Sequence, residues 1–145
     1  MAGIAANGFE SSGLAESSAS VPARLKPCPD SPNCVSSFSS DPRHAVAPIA
    51  FSGAISETRR KLLEVIRAMP RTHVVRDEKT YLHVEFTSAV FRFVDDVEFL
   101  FNEELQRIDV RSASRVGYWD MGANRKRIEE IRRMMAQKLP PETNP

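Results

Sequence analysis

Between Tyr81 and Ser114 the chain alternates apolar and polar residues almost without a break, a period that suits little but β-strands. In 81–87, Leu82, Val84 and Phe86 fall on one face and Tyr81, His83, Glu85 and Thr87 on the other. Residues 91–101 form the strongest run. Phe91, Phe93, Asp95, Val97, Phe99 and Phe101 share a face, with Arg92, Asp96 and Glu98 opposite. Asn102-Glu103-Glu104 turns the chain, and 108–114 returns. Connections this short make neighbours pair as an antiparallel meander. Upstream, 72–76 reads as a further strand, joined through Asp77-Glu78-Lys79, and 49–51 as a short one that Pro48 confines to a sheet edge.

Two stretches keep the helical period instead. Within 53–69, Ile55, Leu62, Ile66 and Met69 recur on one face, thickened by Leu63. Ser52 or Ser56 is placed to cap this helix, and Pro70 ends it. Near the C-terminus, Asn124, Ile128, Ile131 and Met135 recur after Asp120, a candidate N-cap, and Pro140-Pro141 stops the run. Two such stripes can be buried on one face of the sheet. The expected fold is therefore α+β: an antiparallel meander of about four to five strands with two helices packed on one face.

Register follows from the alternation, because a one-residue slip would put the apolar set in water. Pairing Phe101 with Ile108 sets Phe99 against Val110, Val97 against Ser112 and Asp95 against Ser114. Pairing Phe86 with Phe93 sets Asp95 against Val84 and His83 beside Asp96; a two-residue alternative to this register stays open. The inner face then holds one acid, Asp95, near Ser112 and Ser114. A buried carboxylate is costly unless paired or hydrogen-bonded. It serves either as a site acid or as the anchor of a loop or helix entry. The outer face carries a lattice of opposite charges, Glu98 beside Arg111, with Glu85 and Arg115 near. His83 and Asp96 could form an acid–base pair there.

Residues 1–23 are rich in Ala, Ser and Gly and hold no Lys or Arg. They read as a disordered tail, as do 140–145, leaving a single domain over 24–139. The tail lacks the basic and apolar regions of a secretory signal, which places the chain as written in the cytoplasm. No apolar stretch is long enough to span a bilayer, so no membrane insertion by this chain is expected. Residues 24–140 hold 20 bases and 16 acids. That surplus is too small for a nucleic-acid stripe but favours an anionic small molecule.

The only cysteines, Cys28 and Cys34, sit in a Pro-rich loop. Three readings are open: a disulfide, a metal site with His44 as third ligand, or two reduced structural thiols. The Cys-x5-Cys spacing is wider than zinc knuckles use and no second pair exists, so no metal or cofactor is expected.

Three blocks carry a resemblance. They are Cys28-Pro29-x-Ser31-Pro32-Asn33-Cys34-Val35-Ser36-Ser37, then Phe91-Arg92-Phe93-Val94-Asp95-Asp96-Val97-Glu98-Phe99, then Val110-Arg111-Ser112-Ala113-Ser114-Arg115-x-Gly117-Tyr118 continuing through Asp120-x-Gly122-x-Asn124-Arg125-x-Arg127. Over roughly 25–136 the chain resembles the domain of unknown function 1499 family. The resemblance implies a small standalone domain and brings no activity with it. Some members are exported, lumenal or membrane-attached, which sets an exported location beside the cytoplasmic one. Trp119 is a departure, standing where members often have a smaller residue.

The candidate ligand-binding residues are Asp95, Arg111, Ser112, Ser114, Arg115, Tyr118, Asn124 and Arg125. Arg111, Arg115 and Arg125, with the amides that open the last helix, could receive a carboxylate or phosphate. The leading expectation is a non-catalytic binding or accessory module for a small anionic ligand or a protein partner. One alternative is an enzyme with an acid/base site at the Asp95 end of the sheet, although no nucleophile elbow, Gly-rich phosphate loop or HExxH string supports it. Another is a structural or assembly protein.

Overall fold

The computed structural model describes residues 20–138. In chain order it contains β1 (Cys34–Ser36), β2 (Ile49–Ala50), α1 (Ile55–Ala68), β3 (Thr72–Asp77), β4 (Tyr81–Thr87), β5 (Val94–Asn102), β6 (Arg107–Ser114) and α2 (Ala123–Lys138). Of the expected tails, 1–23 and 140–145, residues 1–19 and 140–145 lie outside the described residues.

The strands form one antiparallel sheet in the order β1-β6-β5-β4-β3, with β2 also on β6. The meander β3 to β6 is as expected. The sixth strand is β1, because the Cys loop does not stay irregular: Cys34 meets Ala113 and Ser36 meets Arg111. Phe101 pairs with Ile108 and Asp95 with Ser114, as the alternation requires.

The β4–β5 pairing is shifted by two residues from the expected one: Phe86 meets Asp95 and Val84 meets Val97. The reason lies in the turn. Phe86 opposite Phe93 would leave a two-residue loop of Ala89 and Val90, and such loops favour positive φ at one or both positions, which Val resists. The chain instead closes on Ser88 and Phe93, whose backbone bond is 2.9 Å, and puts the positive φ of 59° on Arg92. As a result β5 starts at Val94. Phe91 and Phe93, expected in the core, are 73% and 51% exposed at the hairpin tip.

Both helices lie on the inner face. Leu62, Val65 and Ile66 of α1 and Ile128, Ile131 and Met135 of α2 share one core with Val84, Val97, Phe99 and Val110 of the sheet. Each such side chain contributes about 1.5–3 kcal/mol by leaving water. The N-cap of α1 is Ala54, with no side-chain cap, so neither Ser52 nor Ser56 serves there; Glu57 and Arg67 complement the helix dipole at its two ends.

The outer face is partly covered. Leu25 is buried against Tyr81 and Leu100, with Phe38 packed beside them. The Arg24 guanidinium lies 4.2 Å over the Phe38 ring. A disulfide joins Cys28 to Cys34, Cα atoms 5.7 Å apart, and ties this strap to β1.

Candidate functional site

Asp95 and Asp96 are consecutive in β5, so their side chains point to opposite faces of the sheet. Each one anchors a polar network.

On the inner face, Arg127 of α2 reaches across to Asp95. Its NH2 donates to Asp95 Oδ2 at 2.8 Å, and its NH1 to Ser112 Oγ and Asn124 Oδ1 at 3.1 and 2.9 Å. Its guanidinium carbon lies 4.8 Å from the Phe86 ring centroid. Ser112 Oγ donates to Asn124 Oδ1 at 2.6 Å. Asn124 Nδ2 donates to Ser114 Oγ, the Asn33 carbonyl and Asp120 Oδ2. Asp120 accepts the amides of Gly122 and Asn124 and so caps α2. Burial pushes the Asp120 carboxyl up, but the hydrogen bonds from Asn124 and Gly122 outweigh it and hold the group below the usual carboxylate range. Asn33 Nδ2 donates to the Gly117 carbonyl at 2.7 Å, closing the network onto the β6–α2 loop. Asp95 and Asn124, polar residues on two apolar faces, are thus joined through a shared partner.

On the outer face, His83 Nε2 lies 2.7 Å from Asp96 Oδ1, and Arg115 donates to Asp96 and to Glu85 at 2.7 and 2.5 Å. Burial opposes ionisation of Asp96, yet Arg115 and His83 hold its carboxyl below the usual range. Tyr81 donates its hydroxyl to Glu98; burial, then that carboxylate, raises the phenol well above its ordinary value. Arg111 faces Glu98 at 3.7 Å and donates to the Pro27 carbonyl.

The expected ligand residues therefore separate. Asp95, Ser112, Ser114 and Asn124 converge. Arg111 and Arg115 stand on the opposite face, already paired. Arg125 lies elsewhere, donating to the carbonyls of Ala45, Pro42 and Arg43. With Asp120 on the helix amides, the anticipated anion receptor is not assembled. Tyr118 is exposed on the loop before α2. His44, considered as a metal ligand, donates through Nδ1 to the Cys34 carbonyl, 2.9 Å away, while both cysteines are bonded to each other. Among the described residues no group of three His, Cys, Asp or Glu is placed to hold a metal.

A feature the sequence reading missed lies just beyond the Asp95 network. The β4–β5 tip and the β6–α2 loop face each other at this end of the sheet, and a cleft of about 390 Å³ opens between them. Phe91, Phe93, Val116, Trp119 and Met121 line its walls; Asp95, Ser114 and Arg127 lie at its base. Seven of the ten exposed large apolar side chains among the described residues belong to these two loops. Such concentration is unusual on a chain surface. Phe91 and Phe93 stack on one another, ring centroids 5.4 Å apart. Each loop also holds a non-glycine residue at positive φ, Arg92 at 59° and Met121 at 55°. The available signal was Ala89-Val90, a poor two-residue turn, which argues that the Phe pair belongs to a longer loop.

Chemically, this arrangement is suited to holding a group. Ser112 and Ser114 are both links in the hydrogen-bond network, and among the described residues no histidine contacts either hydroxyl to activate it.

A family model described as a protein of unknown function (DUF1499) matches residues 24–135. No curated protein matches the chain.

Proposed function

Since this chain belongs to the DUF1499 family, whose description assigns no activity, we propose from the geometry that it is a non-catalytic binding module whose site is the cleft between the β4–β5 tip and the β6–α2 loop. The observation that carries this reading is the gathering of exposed aromatic and apolar side chains around one concavity, over a rigid polar base. Binding sites combine apolar walls with a few fixed polar groups. A side-chain-sized apolar group, free or presented by a protein partner, fits the volume. The anionic ligand suggested by the Arg surplus is less supported, because Arg111, Arg115 and Arg125 each have partners elsewhere.

The enzyme reading has one geometric support, the His83–Asp96 pair, but Arg115 holds the same carboxylate and the pair sits in a charged lattice. Among the described residues no helix is long and apolar enough to cross a membrane. The Cys28–Cys34 bridge supports an oxidising compartment over the cytoplasm.

The test is a fragment screen followed by amide and indole NMR shifts. Hits should move the resonances of 90–93 and 116–121 together. Hits that instead cluster on the outer face, or none in a library of several hundred aromatic and aliphatic fragments, would overturn the reading.

A further inference from the structure

Resting on that reading, we infer that the occupant of the cleft is an organic cation: an ammonium or guanidinium group carried on an apolar body. Charge complementarity is the first argument. Two carboxylates, Asp95 and Asp120, line the cleft against one guanidinium, Arg127. That guanidinium is held at the base by Asp95, Ser112 and Asn124 and lies by the Phe86 ring. Asp95 is 9% exposed, and only its Oδ2 is bonded to Arg127. Among the described residues no hydrogen bond to its Oδ1 is found, and that oxygen, unlike His44 Nε2 and Arg111 Nε, is not shut off from solvent, so it offers an acceptor position open to the cleft. An unmet acceptor of this kind selects a donor.

The walls are the second argument. Phe91, Phe93 and Trp119 present three aromatic rings, and the negative faces of such rings attract cations, most of all when water is excluded. An aliphatic or aromatic ligand without charge would use the walls and leave Asp95 Oδ1 unmet. An anionic one would approach two carboxylates. A cation on an apolar body satisfies both features, which reverses the sign of ligand that the Arg-rich composition suggests.

The chain's single tryptophan is on the cleft wall, so its fluorescence reports occupancy directly. The probes are three molecules of similar shape: choline, the neutral 3,3-dimethyl-1-butanol and the anionic 3,3-dimethylbutanoate. Choline should move Trp119 emission saturably and bind roughly fivefold or more tighter than the neutral probe. The anion should bind weakest. Asp95→Asn should remove the preference for choline. Should that variant fold poorly, Phe93→Leu, at an exposed position, should weaken choline several-fold with less effect on the neutral probe. Nα-acetyl-arginine amide as a fourth probe separates sources: tighter binding than choline assigns the site to a basic side chain of a protein, weaker binding to a free amine. Equal or tighter binding of the neutral or anionic probe refutes the cation inference and leaves the cleft standing as a site. No response of Trp119 emission or indole shift to any of the four refutes the cation inference; the fragment screen then decides separately whether the cleft is a site.

Discussion

Removing Asp95 is the sharpest perturbation of the polar base. Its carboxylate and the Arg127 guanidinium meet at 2.8 Å with side chains 12% and 15% exposed. Breaking a buried pair by deleting one partner costs about 3–5 kcal/mol, because the survivor is left charged and unpaired. Arg127 retains Ser112 and Asn124, and both side chains reach some solvent, so the low end applies: about 3 kcal/mol for Asp95→Ala. Asp95→Asn keeps an acceptor oxygen, and its loss should be about 1.5 kcal/mol, one charge-assisted bond weakened to a neutral one. For a domain of this size 3 kcal/mol lowers Tm by roughly 10 °C. Urea unfolding followed by far-UV circular dichroism and by Trp119 emission gives the free energies and tests two-state behaviour. A double-mutant cycle with Arg127→Met should show strong coupling, and the double variant Asp95→Leu/Arg127→Met should recover most of the loss, since apolar replacements of both partners leave no orphan charge. If Asp95→Ala and Asp95→Asn both unfold within about 0.5 kcal/mol of the parent, the pair does not anchor α2 and the reasoning fails.

Other outcomes follow from the same geometry. The bridge closes a short loop, so reducing it or replacing both cysteines by serine should cost about 2 kcal/mol by the loop-entropy relation; alkylation and mass spectrometry of unreduced protein should find no free thiol, and a lower Tm should appear only with reductant. Asp96 and Asp120 titrate below their unfolded values, so their stabilisation is full above about pH 4 and is lost as pH falls through the folded values. Unfolding free energy should therefore drop as pH falls below about 4, and Asp120→Asn should flatten that limb; a flat parent profile counts against the assignment. Phe91→Ser should leave Tm within about 2 °C of the parent, since the ring is mostly exposed, while reducing fragment binding at the cleft; a loss of many degrees would show the ring packs into the core.

What the sequence made legible were the elements whose pattern is periodic and the polar residues that violate it. Asp95 in a Phe and Val strand and Asn124 on an Ile and Met stripe stood out because burial makes each costly, and the structure joins them. Their common partner did not stand out. Arg127 sits on a helix flank with several other basic residues, and only the packing angle of α2 selects it. Strand β1 was hidden because its three residues pair with β6 some 77 positions away, a contact no local pattern encodes. Leu25 was hidden for the same reason, its burial resting on Tyr81 and Leu100, which are distant in sequence. Phe91 and Phe93 were misplaced because alternation runs on through the hairpin tip; the turn chemistry of Ala89 and Val90, not the hydrophobic period, decided where the strand begins.

The consecutive pair Asp95 and Asp96 explains why the cleft can be both apolar and rigid. Asp95 and Asp96 sit near the start of β5, where two loops leave the sheet. One holds α2 through Arg127; the other holds Arg115, the residue just after β6, through paired hydrogen bonds. Both roots of the β6–α2 loop are thereby fixed, and Asp120 fixes the loop again from within by capping α2. Beyond this collar the chain places Phe91, Phe93, Trp119 and Met121 in contact with solvent. A surface built only to stay soluble would carry charge at such positions. Apolar side chains on loops whose bases are pinned on both faces of the sheet present a preorganised wall, which lowers the ordering cost a ligand must meet. Under the proposed binding function, the polar network would be the support of the site and the exposed rings the part that meets the ligand.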